Sequence, residues 1–161
     1  LASLGLVSGR FTILVTSGSF GIGPLKELIG RLELYKDSVQ VIAVCGTNRV
    51  LFDELKNHVY GFPLAVLGFV NNMHELMAVS DVLVSRSSGL TTSEALARGV
   101  PLIVVSKIPG QETYNAEILG KHNAAFFAWT VDELRERIPN ELLKGVFYTK
   151  STLAVNKSKY E

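Results

Sequence analysis

The residues best suited to chemistry lie in Val84 to Glu94, V-S-R-S-S-G-L-T-T-S-E. The apolar run Asp81–Val84 stops at Ser85-Arg86-Ser87-Ser88-Gly89, and the helix-forming run Ser93–Arg98 follows at once. A strand, a tight turn of small residues and a helix are expected. Such a turn leaves backbone N–H groups at a helix N-terminus, where the helix dipole is positive, and this suits a phosphate or another anion. Arg86, at the strand end, adds a forked cationic donor. Glu94 has two readings. Thr91-x-x-Glu94 has capping-box spacing, which alone would explain the acid and is favoured on spacing. Alternatively its carboxylate accepts hydrogen bonds from a ribose diol.

Two further stretches join this set. Gly18-x-x-Gly21-x-Gly23 lets backbone approach a phosphate closely. Its glycine order is not the dinucleotide fingerprint, no acid closes the second strand, and no lysine follows the last glycine as in a P-loop. Phosphate contact and a purely geometric need for glycine are equally good readings of it. Gln111 and Glu112, after Pro109-Gly110, place an amide beside a carboxylate, a pairing suited to sugar hydroxyls; an exposed polar loop is the plainer alternative. Asn115 falls one turn into the next helix. His58, His74 and His122 are isolated, and Cys45 has no second cysteine, so no metal-ligand spacing appears. No Ser/His/Asp order or nucleophile elbow is present. Trp129, Phe126 and Phe127 read as core.

The elements that must position these residues follow from periodicity. Phe11–Thr16, Val39–Cys45, Pro63–Leu67, Asp81–Val84, Pro101–Val105 and Ala124–Phe127 read as strands. Between them lie helices at Pro24–Leu32, Arg49–Lys56, Met73–Ser80, Ser93–Arg98 and Thr113–Lys121, and a capping box at Thr130–Glu133 opens another to Ile138. Leu25, Leu28, Ile29 and Leu32 form one buried stripe, and Leu51 and Leu55 another. Asn72 and Glu75 have N-cap spacing. Alternating apolar strands and helices predict an α/β fold: a doubly wound, mostly parallel six-stranded sheet of Rossmann-like form. All three polar stretches then share the carboxyl edge of the strands, where such sheets bind ligands. Residues 1–9 read as a linker or chain end, 10–144 as the nucleotide-binding domain, and 145–161 as a tail expected to be poorly ordered or truncated.

Composition sets outer bounds. The 161 residues are 47% hydrophobic and 19% charged, with net charge +1, which argues against nucleic acid and against a polybasic membrane surface. A single cysteine fits a reducing, cytoplasmic setting. No apolar run approaches the ~18 residues that span a bilayer. The first residue is Leu1 rather than Met, so a fragment of a longer chain is expected.

Taken together, Gly68-Phe69-Val70-Asn71-Asn72-Met73, Ser85–Ala95, Gly99-Val100-Pro101 and Ile108-Pro109-Gly110-Gln111-Glu112 with Asn115 resemble the C-terminal half of the GT-B glycosyltransferases of family 28. That family includes the peptidoglycan N-acetylglucosaminyltransferase and the diacylglycerol galactosyl- and glucosyltransferases, and the Pro-Gly-Gln-Glu loop is closer to the latter. The resemblance implies a UDP-sugar donor (UDP-glucose, UDP-galactose or UDP-N-acetylglucosamine), a membrane lipid acceptor such as diacylglycerol, and inverting transfer without cofactor or metal. It implies that Phe69, Val70 and Met73 hold the uracil and that Arg86 lies beside the nucleotide. Gly18, Ser19, Ser88, Gly89, Leu90 and Thr91 would face the diphosphate, and Glu94 would take the ribose, which reverses the preference for capping. Pro109, Gly110, Gln111 and Glu112 would meet the donor sugar, with Asn115 in support. The catalytic base and the lipid acceptor site would belong to an N-terminal domain absent from this chain, so the chain alone is expected to be inactive. The full-length protein would sit peripherally on the cytoplasmic membrane face. Rival expectations are a stand-alone N-acetylglucosaminyltransferase subunit completed by a separate membrane chain, a non-catalytic nucleotide-binding module, and, least favoured, a UDP-sugar epimerase.

Overall fold

A computed structural model describes residues 1–16, 18, 20–21, 25–106, 110–128 and 133. Six strands, β1 (Phe11–Thr16), β2 (Val39–Val44), β3 (Leu64–Leu67), β4 (Val82–Arg86), β5 (Leu102–Ser106) and β6 (Phe126–Phe127), alternate with five helices. The helices are α1 (Leu25–Arg31), α2 (Arg49–Asn57), α3 (Met73–Ala78), α4 (Gly89–Arg98) and α5 (Gln111–Lys121). Every strand pair is parallel, in the order β3-β2-β1-β4-β5-β6. This is the expected α/β doubly wound sheet, parallel throughout.

The side-chain alternation of the strands explains the two helical layers. Ile13, Val15, Val41, Ala43, Val82 and Val84 point to one face and pack with Leu25, Leu28 and Ile29 of α1 and Leu51 and Leu55 of α2. Leu14, Ile42, Val44, Leu83, Leu102 and Val104 point to the other, against Leu76 and Met77 of α3, Ala95 of α4 and Leu119 of α5. Right-handed crossovers carry the chain outward from β1 to β3 over the first face. The chain then returns to the free side of β1 and winds the opposite way, so the later helices cover the second face. The order reverses between β1 and β4, and the crevice at their carboxyl ends is the switch point.

Several boundaries differ from expectation. β4 runs to Arg86, because pairing with β5 continues past Val84. α4 starts at Gly89 and α5 at Gln111. Asn72 is the N-cap of α3, but its side chain does not cap; its amide donates to Glu75 at 2.8 Å instead. Residues 1–9, read as a linker or chain end, pack on the sheet: Leu6 is buried, and Leu1 and Leu4 lie against the second core. Gln40, fully buried on β2, holds this segment by accepting from the Val7 N–H and donating to the Val7 carbonyl, both at 2.8 Å. The predicted helix Thr130–Ile138, Trp129, Pro24 and the tail 145–161 fall wholly or mostly outside the described residues.

Cys45, which follows β2, is fully buried, and burial pushes its thiol up to about 11. At pH 8, iodoacetamide is expected to alkylate it only after unfolding; labelling of the native protein at the rate of a free thiol would contradict its burial. The unfolded thiol loses its proton near pH 9 and the folded one near 11. Its contribution to stability is therefore complete below pH 9 and is lost as pH rises through 11.

Candidate functional site

The crevice at the switch point is built from three neighbouring segments. After β1, the turn carries Gly18 and Gly21 at φ +80° and +61°. Both angles are left-handed, the region where glycine alone is unstrained. The Gly21 N–H donates to the Gly18 carbonyl at 3.1 Å, and the Gly18 N–H to Thr16 Oγ1 at 3.3 Å. A Cβ on Gly18 would lie 3.4 Å from the Arg86 guanidinium, an ordinary contact, so the turn and the cation are neighbours and it is the left-handed φ that calls for glycine.

Arg86 ends β4 beside a register shift: Ser85 faces Val104 of β5, but Arg86 faces Ser106. Such an irregularity re-aims the side chain that follows it. Arg86 Nη2 lies 3.2 Å from Glu112 Oε1, with the two side chains only 12% and 13% exposed. The pair thus joins the end of β4 to the first turn of α5. Two more bonds tighten the joint. Ser87, fully buried, donates its hydroxyl to the Glu112 carbonyl at 2.8 Å, and Asn115 Nδ2 donates to the Ser87 carbonyl at 2.9 Å. Sequence reasoning gave Ser87 no separate role, and only the contact across to α5 reveals one.

α4 starts immediately after this joint. Ser88 is its N-cap residue and makes no side-chain cap bond. The first N–H to find an intrahelical carbonyl is that of Thr92, bonded to the Ser88 carbonyl at 3.0 Å. The N–H groups of Gly89, Leu90 and Thr91 precede it at the positive end of a helix of ten residues. Leu90 is 75% exposed.

Starting α4 at Gly89 overturns the capping reading of Thr91 and Glu94. Thr91 is the third helical residue and Glu94 the sixth, so neither occupies a capping position. The Glu94 side chain is half-buried and forms no hydrogen bond or ion pair among the described residues. Its carboxylate therefore has no structural partner there to explain it.

The segment after β3 completes the rim. α3 packs beside α4 in the same layer, over the second core. Val70 and Met73 pack on the second core. Phe69, by contrast, is 65% exposed at the rim. Gly110, at φ +103°, is the N-cap residue of α5, and Gln111 is its first residue. Ser19, Pro109 and the Gln111 side chain lie outside the described residues. His74 is exposed.

Comparison with known proteins gives the chain its family. The glycosyltransferase family 28 C-terminal domain matches residues 12–160. A processive diacylglycerol beta-glucosyltransferase of Bacillus pumilus (strain SAFR-032) is 34% identical over 141 residues, which cover 86% of this chain and 37% of the relative. The probable monogalactosyldiacylglycerol synthase 2, chloroplastic, of Oryza sativa subsp. indica is 32% identical over 123 residues, covering 72% of this chain and 26% of the relative. Among solved structures, Acinetobacter baumannii MurG superposes with a TM-score of 0.71 at 21% identity, over 88% of this chain and 44% of that one. The last likeness speaks to the fold. The chain thus spans little more than a third of the length of these curated relatives at most. With the family pattern running through nearly all of it, the chain belongs to glycosyltransferase family 28, whose C-terminal domain it represents.

Proposed function

We propose that this chain is the donor-binding domain of an inverting glycosyltransferase, taking UDP-glucose, UDP-galactose or UDP-N-acetylglucosamine. One observation carries the reading: at the switch point a glycine turn, a cation and an uncapped helix N-terminus meet, as a diphosphate requires. In this reading Gly18, Ser19, Ser88, Gly89, Leu90 and Thr91 face the diphosphate, the start of α4 offering its N–H groups, with Arg86 beside the nucleotide. Glu94 accepts hydrogen bonds from the ribose hydroxyls; its lack of a structural partner among the described residues supports this. Phe69, Val70 and Met73 hold the uracil, and the exposed ring of Phe69 has an apolar surface to offer. Pro109, Gly110, Gln111 and Glu112 face the hexose, and Asn115 braces that edge through Ser87.

The chemistry asked of this domain is departure of the leaving group. The bond from the anomeric carbon to the phosphate oxygen breaks, and its electron pair leaves with UDP. Negative charge grows on the diphosphate and is met by fixed N–H dipoles, which need no reorganisation. An acceptor hydroxyl attacks the opposite face of the sugar and inverts it. The base for that step, and the acceptor site, are assigned to a part of the enzyme beyond this chain. A glycerolipid acceptor is supported by the relatives named for diacylglycerol. Among the described residues no helix is long and apolar enough to cross a membrane, which suits an enzyme that meets its lipid at the surface.

Titration calorimetry tests the ribose role. Glu94→Ala is expected to lower UDP affinity about 10- to 100-fold, since hydrogen bonds to a charged group contribute about 1.5–3 kcal/mol each. ADP is expected to compete poorly. Unchanged affinity in the variant dismisses the role of Glu94, and equal competition by ADP favours a general nucleotide-binding module instead.

The ion pair gives a separate test. Glu112→Gln leaves the Arg86 guanidinium mostly buried without its carboxylate. Chemical denaturation is expected to show a loss of about 3–5 kcal/mol. Stability within 0.5 kcal/mol of wild type, on the order of a surface substitution, would mean the pair contributes little.

A further inference from the structure

The far side of the glycine turn is held by a residue with no assigned role. Asn48 precedes α2 and is its N-cap: Oδ1 accepts from the Leu51 N–H at 3.0 Å. That bond uses only the oxygen. The amide nitrogen crosses to the β1 turn and donates to the Gly21 carbonyl at 2.9 Å. Asn48 is itself fixed, because its own N–H donates to the Cys45 carbonyl at 3.2 Å. Cys45 in turn bonds through its N–H to the Leu67 carbonyl at the end of β3, at 2.8 Å.

The fit around Gly21 is tight. A Cβ there would stand 2.2 Å from the Cys45 carbonyl oxygen and 2.6 Å from Asn48 Cβ. The turn is therefore tied to Asn48 at Gly21, where it also packs closely on the Cys45 carbonyl. Capping alone does not call for asparagine, since serine, threonine and aspartate cap comparably. Among these, asparagine alone combines a capping oxygen with an amide donor.

We infer that Asn48 is a positioning residue for the diphosphate, acting through Gly21 to hold the β1 turn where the phosphates bind. The inference rests on the donor site proposed above. Backbone N–H groups favour a charged ligand strongly only when held within about 0.5 Å of the right place. Loss of the bond to Gly21 should therefore be felt by the phosphates and not by the nucleoside, which binds on the α3 and α4 side.

The experiment measures affinities for UDP and for uridine in wild type, Asn48→Ser and Gly21→Ala. Serine keeps a capping oxygen and removes the amide donor. Alanine drives a Cβ against both the Cys45 carbonyl and Asn48 Cβ, so it displaces the turn from the same contacts by a second route. Each variant is expected to lower the ratio of UDP to uridine affinity about tenfold, with uridine affinity unchanged. Thermal unfolding of Asn48→Ser is expected to stay close to wild type, because the cap remains. An unchanged ratio in either variant overturns the inference. Equal losses for UDP and uridine also overturn it, since they indicate general damage to the domain. If wild type binds uridine and UDP equally, the diphosphate site itself falls, and the role of Asn48 falls with it.

Discussion

Strands β1 and β4 are far apart in the chain and adjacent in the sheet, and their pairing brings the crevice residues together. Three residues of each strand are in register, from Ile13 opposite Val82 to Val15 opposite Val84. These side chains are among the most buried in the molecule, so a slip of one residue would turn one strand's side chains to the wrong faces. With the register fixed, the glycine turn after β1 must lie beside the end of β4. The winding direction changes at this point, so helices leave to opposite faces and a crevice opens between them. Arg86 can meet Gly18 because of this pairing, and no local propensity would bring them together.

The polar joint above the crevice has a different character from the core below it. Arg86, Ser87, Glu112 and Asn115 come from two strand-to-helix junctions and connect through an ion pair and two hydrogen bonds to main-chain carbonyls. The low exposure of the ion pair means that its partners hold each other in one geometry. In energetic terms such a pair contributes little net stability over an apolar one, but breaking it is costly. Its value is therefore rigidity. It sets the angle between the start of α4 and the start of α5, the two ends that would flank the diphosphate and the sugar. Glu112 accordingly has an internal partner as well as the proposed sugar contact.

How much of this was legible in the sequence depends on the distance over which each signal acts. The six strands and their covering helices were readable, because apolar runs such as Val39–Cys45 can hardly be anything but buried strands. The placement of all polar stretches at one edge followed from alternation alone. The start of α4 was misjudged because Ser88 and Gly89 are weak helix formers. Their position after β4 makes them helical regardless, and the capping reading of Glu94 fell with that boundary. Likewise Leu1 to Gly9 has no period, and it is tied to the sheet through the buried amide of Gln40 and the packing of Leu1, Leu4 and Leu6, all contacts distant in sequence. The pairing of Arg86 with Glu112 and the reach of Asn48 to Gly21 depend on side-chain contacts between segments distant in sequence. No spacing rule encodes them.

The central claim is that the switch-point crevice, and not some other surface, receives the nucleoside diphosphate. Amide chemical shifts recorded during a UDP titration test it most directly. The account predicts that the largest changes fall on Gly18, Gly21, Phe69, Val70 and Gly89 to Thr91, all at the carboxyl edge of the sheet. Shifts confined to the opposite edge, at Gly30, Gly61 or Gly99, would contradict it, as would a spectrum that UDP leaves unchanged.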